Sequence, residues 1–97
     1  MAKLETELWS DFDGLLEKIQ RGILNGNASA TWEDASDFFG EDARCSVRVF
    51  ERYSAIGSNR VSLNITLFQC GGGQAVIFKM NTLGERSFLD CVRKILE

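Results

Sequence analysis

Two hydrophobic periods divide this chain, and they predict two helices separated by strands. Between residues 12 and 24 the apolar side chains recur every three or four positions, the spacing that places them on one face of an α-helix. Asn25 and Gly26 follow, and both residue types favour the end of a helix. A second stripe of this period, after a capping box at 82–85, predicts a C-terminal helix. The two stripes consist of Phe12, Leu15, Leu16, Ile19, Ile23, Phe88, Leu89, Val92, Ile95 and Leu96.

Elsewhere the apolar period falls to two, which indicates β-strands. Residues 2–8 alternate in this way and predict a short edge strand. Residues 28–38 form a weaker pattern, because strict alternation would turn Asp34 and Ser36 inward. We therefore expect a bulge or an early end in that strand.

The apolar positions of 43–54, 60–69 and 75–81 predict how three central strands pair. A hairpin through residues 55–59 and a tight reversal at Gly71 and Gly72 would align their apolar sides. The predicted cross-strand pairs are Val49 with Ile65, Val47 with Leu67, Leu67 with Val76, Ile65 with Phe78, and Leu63 with Met80.

The predicted element order is β-α-β-β-β-β-α, which indicates an α+β fold. We expect a largely antiparallel sheet with both helices packed on one face and solvent on the other. The chain of 97 residues is short for two cores, so we expect a single domain spanning residues 1–97.

Charge narrows the classes of partner. The chain has eleven basic and fourteen acidic residues, a net charge of −3. This charge has the wrong sign for electrostatic binding of nucleic acid or anionic lipid. No apolar run approaches the roughly 20 residues of a membrane span. The first residues carry acids where a signal peptide carries a long apolar stretch. We expect a cytoplasmic protein with neither a nucleic-acid partner nor a membrane partner.

The residues that usually carry chemistry are sparse. The sequence contains no histidine, and its three cysteines have no C-x-x-C spacing. We expect reduced thiols, with Cys45 and Cys91 on apolar faces. The glycines at 71–73 lack the Lys-Ser/Thr of a phosphate loop and lead into a strand. The sequence predicts no cofactor, no metal site and no enzymatic activity.

Glu51 departs from the predicted alternation, since it would face inward between Val49 and Tyr53. A buried carboxylate must be paired or protonated. One hypothesis makes Glu51, Tyr53 and Trp32 the polar rim of a ligand pocket between sheet and helices. The alternative is that Glu51 sits near a hairpin and meets an arginine, a backbone amide or water.

Two groups fall on the sheet face predicted to be solvated. Phe50, Phe68 and Ile77 would form an association patch if they cluster, or would otherwise be ordinary exposed residues. Arginines on the same face would either bind an anion or, with their stems over apolar surface, pair with acids such as Glu33 or Asp37. These arginines are Arg44, Arg48 and Arg52, with Arg60 and Lys79 expected nearby.

Three segments carry a resemblance to known sequences: LNGNASATWED at 24–34, VRVFERYSAIGSNRVSLNITL at 47–67, and GGGQAVIFKMNTLGERSFL at 71–89. They resemble a family of small bacterial proteins defined only as a domain of unknown function. The resemblance implies a soluble, single-domain bacterial protein and supplies no activity or site residues. The predicted element order is also similar to a reduced helix-grip fold, a likeness of topology alone.

Two functions are compatible with these observations. The first is a non-catalytic structural or interaction protein that forms a homodimer through its sheet face or a sheet edge. The alternative is a module that binds a small molecule or lipid in an apolar cavity between the sheet and the C-terminal helix. A filled core would favour the first.

Overall fold

The two amphipathic stripes form the helices of the protein, and the alternating segments form five strands. The computed structural model describes residues 2–26, 29–53, 60–71, 75–82 and 86–97. In chain order the elements are β1 (Ala2–Trp9), α1 (Phe12–Gly26), β2 (Thr31–Phe39), β3 (Ala43–Tyr53), β4 (Arg60–Cys70), β5 (Ala75–Thr82) and α2 (Arg86–Leu96).

Helix α1 begins where the side chain of Asp11 accepts a hydrogen bond from the Gly14 amide at 2.8 Å. This contact satisfies one of the amides that a helix leaves free at its start. All five residues of the predicted stripe are buried, with Ile19 and Ile23 fully so. Leu89 and Val92 of α2 join the same core.

The five strands form one antiparallel sheet in the order β1-β5-β4-β3-β2. Helix α1 contacts β4, and α2 contacts β1 and β5. The fold is therefore α+β with both helices on one side of the sheet, as the sequence predicts. We call the other side the open face. Strand β2 forms one margin of the sheet, and all but one of its residues are exposed.

Strands β4 and β5 present the predicted residues to the helices, although their register differs from the prediction. Leu67 lies opposite Phe78 rather than Val76, and Ile65 lies opposite Met80. The offset of two residues is a full strand period, so each side chain keeps its predicted face. Gly71 has a φ of +77° and donates its amide to the Asp42 carbonyl, so the chain follows β3 for one residue longer than predicted.

The predicted register of β3 against β4 is wrong by one residue. Arg48, not Val49, lies opposite Ile65, and Phe50 lies opposite Leu63. Because faces alternate along a strand, this shift reverses every side chain of β3. Phe50 is therefore fully buried beneath the helices, whereas Val49 lies on the open face.

The reversed orientation of β3 has a polar cause. Its helix side lies beside the polar flank of α1, where Asp13 and Gln20 accept hydrogen bonds from Arg44 and Arg48. Paired in this way, an arginine can be buried at moderate cost. The predicted irregularity in β2 is confirmed, since its register shifts between Trp32 and Asp34.

Candidate functional site

Four apolar residues lie side by side across the open face. Phe68 pairs with Ile77 on one side and with Cys45 on the other, and Cys45 pairs with Phe38. Directly paired residues of antiparallel strands project from the same face. We call Phe38, Cys45, Phe68 and Ile77 the apolar row. Phe68 is 38% exposed, Ile77 51% and Phe38 61%, so the row meets solvent along most of its length.

The apolar area continues on both sides of the row. Val47 and Val49 follow Cys45 along β3 on the same face and are half-buried. Trp9 ends β1 opposite Ala75 and is 74% exposed. The open face therefore combines a continuous apolar strip with exposed aromatic side chains at its margins.

Several charged residues of the open face lie around this strip and are paired with one another. Glu5 lies 3.6 Å from Lys3 and 3.8 Å from Lys79. At the opposite end of the face, Arg60 Nε donates to Glu51 Oε1 at 2.6 Å. Two further acids adjoin the strip, Glu7 opposite Ile77 and Asp34 opposite Val49.

The helix side of β3 carries an arginine network. Arg48 is 7% exposed and donates to Gln20 of α1 at 2.7 Å. Its Nη2 lies 3.1 Å from a carboxylate oxygen of Asp37 on β2. A hydrogen bond from Ser46 and a second one from Arg48 lower the pKa of Asp37. Arg48 therefore joins α1, β3 and the margin strand β2.

Arg44 makes a second link between β3 and α1. Its two terminal nitrogens donate to the two carboxylate oxygens of Asp13, at 2.8 and 3.2 Å. Its guanidinium carbon lies 3.9 Å from the centre of the Phe12 ring and 5.2 Å from that of Phe39. The hydrogen bonds from Arg44 lower the pKa of Asp13. The contacts of Arg44 and Arg48 are those of a structural network, with Asp13, Asp37 and Gln20 as its partners.

The arginines expected on one face are thus divided between two. Arg44 and Arg48 face the helices, and Arg52 lines a groove beside α2. Arg60 and Lys79 contact acids of the open face. The pairing of Asp37 with an arginine is as predicted, but the expected common row is wrong because β3 is reversed.

The predicted pocket rim is not assembled between sheet and helices. Glu51 lies on the open face, where Arg60 pairs with it, and Tyr53 lies beside the same arginine, 5.2 Å from ring centre to guanidinium carbon. Trp32 lies on the helix side, 6.2 Å from the Phe50 ring. The prediction of an inward Glu51 is wrong, and the alternative of a hairpin carboxylate that meets an arginine describes what is found.

Of the three residues predicted as an association patch, the structure brings two together. Phe68 and Ile77 are direct neighbours on the open face. Phe50 is not among them, because the register shift buries it. Cys45 and Phe38 take its place. Sequence alternation missed these two because it placed β3 one residue out of register with β4. The predicted hairpin at 55–59 lies outside the described residues.

The space between sheet and helices is filled by fully buried side chains, among them Ile19, Leu63, Ile65 and Phe78. Two grooves of about 590 and 500 Å³ lie between α1 and α2, and Arg52 of β3 also lines the second. Gly22 and Ile95 line both grooves, and charged residues such as Lys94 form their walls. Both are open to solvent, and charged residues line the one that Arg52 joins, unlike the predicted enclosed apolar cavity.

Within the described segments, no group of three or more cysteine and carboxylate side chains could hold a metal ion. Neither helix there is long and apolar enough to cross a bilayer. The thiols of Cys45 and Cys91 are half-buried and that of Cys70 is exposed. Cys45 lies on the open face rather than in the core.

A family model described as a family of unknown function, DUF6054, matches residues 1–97. The match covers the whole sequence, so the chain belongs to this family. No curated protein matches the chain, and no solved structure does.

Proposed function

We propose that this DUF6054 member is a non-catalytic interaction protein in which the open faces of two copies pack against each other as a homodimer. The observation that carries the proposal is the apolar row across four strands of that face. Contiguous exposed apolar residues with polar residues around them are typical of association sites.

The size of the face fits a second copy. Five strands about 4.8 Å apart and eight residues or longer span roughly 24 by 27 Å, or roughly 650 Å². A standard interface buries about 800 Å² on each partner. Two flat sheets can meet over such an area, since sheets pack face to face through interdigitated side chains about 10 Å apart.

The charges of the face support the same occupant. Burial of an unpaired charge is costly, and a face with one dominant sign would repel a copy of itself. Lys3, Lys79 and Arg60 already neutralise Glu5 and Glu51 within each chain. Among the described residues, Glu7 and Asp34 are the acids of this face outside these pairs, so most of the charge on the face can be covered by a second copy without being left unmatched.

The filled core supports self-association over the ligand-binding alternative. An apolar ligand needs a cavity of about 300 Å³ or more. Fully buried side chains occupy the space where that cavity would lie, with Leu67 and Met80 among them. The arginine and carboxylate groups described above bind one another across elements, a role that stabilises the fold.

The experiment compares the mass of Phe68→Glu with that of the wild-type chain by sedimentation velocity. Protein concentrations of about 5 to 200 µM cover dissociation constants in the micromolar range. The matched control is Phe39→Glu, which adds the same charge at a 72% exposed phenylalanine on the other side of the sheet. We expect Phe68→Glu to have half the wild-type mass, while Phe39→Glu keeps the wild-type mass. A wild-type monomer, or equal masses for wild type and Phe68→Glu, would overturn the proposal.

A further inference from the structure

Strand β1 has an outer edge suited to pairing. Its residues Ala2–Trp9 pair with β5 through eight consecutive partners and without a bulge. Within the part of the chain that the structure describes, no strand lies on its other side. None of the loop and cap hydrogen bonds between backbone groups in the described ranges reaches this strand. Such an edge leaves every second amide and carbonyl of the strand available to another chain.

The opposite margin of the sheet has the features that prevent pairing. Strand β2 contains the bulge between Trp32 and Asp34. It also carries three exposed acids along its length, Glu33, Asp34 and Asp37. Bulges and charges of one sign protect an edge from adding strands. The two margins of the sheet therefore differ, and β1 is the one whose edge can pair with another strand.

We infer that the outer edge of β1 pairs antiparallel with β1 of a second copy, about a two-fold axis at Glu5. This contact is separate from the open-face dimer and goes beyond it, because it joins two sheets edge to edge into one sheet of ten strands. It requires no contribution from the apolar row.

The sequence of β1 is self-complementary in this register. Lys3, Glu5 and Glu7 share the open face at a spacing of two residues. A two-fold axis at Glu5 sets Lys3 of each copy opposite Glu7 of the other, which gives two opposite-charge pairs. Directly opposed opposite charges stabilise antiparallel strands, and like charges destabilise them.

Other registers are poorer. A two-fold axis perpendicular to a sheet keeps the open faces of both copies on the same side. The register between the two β1 strands can therefore change only by two residues at a time. An axis at Thr6 would set Glu5 opposite Glu7 twice. An axis at Leu4 would also give two opposite-charge pairs, Lys3 with Glu5, but would pair only residues 2–6 against 2–8 in the chosen register. In the chosen register the two copies of Glu5 meet, and each has Lys3 and Lys79 within 3.8 Å to offset its charge.

The test uses the Phe68→Glu chain, in which the open-face contact is removed and the β1 edge is intact. We expect this chain to be a dimer by sedimentation velocity. Adding Lys3→Glu to this chain sets like charges opposite each other at two positions, so this double variant should be a monomer. Adding Glu7→Lys as well restores the opposite-charge pairs, so the triple variant should again be a dimer. Lys18→Glu, the same charge change on exposed α1, is the control and should leave the dimer.

Hydrogen exchange provides a second readout. Every second amide of β1 points away from β5, and these amides should gain protection in the dimer and lose it in the Lys3→Glu chain. Far-UV circular dichroism checks that each chain is folded, and Ile77→Lys replaces Phe68→Glu as the open-face variant if the latter is not.

Three results would overturn the edge contact: a monomeric Phe68→Glu chain, a dimer that ignores Lys3→Glu, or a failure of Glu7→Lys to restore it. The first of these leaves the open-face proposal intact, provided that wild type is larger. A Phe68→Glu chain as large as wild type that responds to Lys3→Glu supports the edge and contradicts the open face.

Discussion

Arg44 of β3 and Asp13 of α1 bind each other through two parallel hydrogen bonds, at 2.8 and 3.2 Å. The paired geometry matches the planar guanidinium to the carboxylate. The Phe12 ring lies on one side of the same guanidinium. A helix and a strand that are distant in sequence are thereby held at a fixed relative position.

We expect this pair to contribute modestly to stability. Asp13 is 73% exposed, and exposed ion pairs are weakened by water and by the loss of side-chain freedom. A double-mutant cycle of Arg44→Met and Asp13→Asn should give a coupling of about 0.5 to 1 kcal/mol in the free energy of unfolding. Glu17 and Arg21, an exposed pair within α1, provide the comparison, with an expected coupling of about 0.3 kcal/mol. A larger value for the helical pair would contradict the ranking.

The lowered pKa values of Asp13 and Asp37 predict how stability responds to acid. A carboxyl group whose pKa is lower when folded contributes stability that is complete above its ordinary pKa of 3.8 and is lost as the pH falls through the lower folded value. The hydrogen bonds from Arg44 and Ser46 are the main causes.

Urea unfolding at pH values from 6 down to 2.5 measures this effect. Wild type should lose stability more steeply below pH 4 than Asp37→Asn, whose amide does not titrate. The difference in free energy of unfolding between the two should therefore shrink as the pH falls. A difference that is constant with pH would contradict the assigned role of the carboxylate.

Phe50 and Val49 test the orientation of β3. Phe50 is fully buried, whereas Val49 is half-buried on the open face. Phe50→Ala should lower the free energy of unfolding by about 3 kcal/mol or more. Val49→Ala should cost about 1 kcal/mol. Chemical denaturation measures both, and the reverse ranking would restore the register predicted from alternation.

The sequence was sufficient for the fold where burial alone decides orientation. In β4 and β5, residues such as Ile65 and Phe78 have only polar or exposed neighbours on the alternate positions, so the two faces differ strongly in hydrophobicity. Amphipathic helices are equally clear. These elements give the α+β order and the helix-covered side of the sheet.

Strand β3 could not be oriented in this way. One face of β3 carries Val47 and Val49, and the other carries Arg48 and Phe50. Because alternation places an arginine in solvent, it predicts that the valines face the core. The observed face depends on partners from another element, because Gln20 of α1 accepts the Arg48 hydrogen bond. Only the tertiary arrangement supplies that partner. The candidate association surface changed accordingly, losing Phe50 and gaining Cys45.

Gly22 of α1 lies close against the Ile95 side chain of α2. A Cβ at this position would lie 2.6 Å from two carbons of the Ile95 side chain. In an exposed helix, replacing glycine by alanine stabilises by about 0.5 to 1 kcal/mol. Here we expect Gly22→Ala to destabilise by about 1 kcal/mol or more, because Ile95 must move out of its contact with α1.

The companion substitution Ile95→Ala separates the clash from helix propensity. It removes the carbons that a Gly22 Cβ would meet, so Gly22→Ala should be stabilising when Ile95→Ala is already present. Thermal and urea unfolding of the four chains give the sign directly. Gly26→Ala is the matched control, since its nearest contact is the Cys91 sulfur at an ordinary 3.4 Å. If Gly22→Ala stabilises the wild-type chain as well, the two helices are not in close contact at this point.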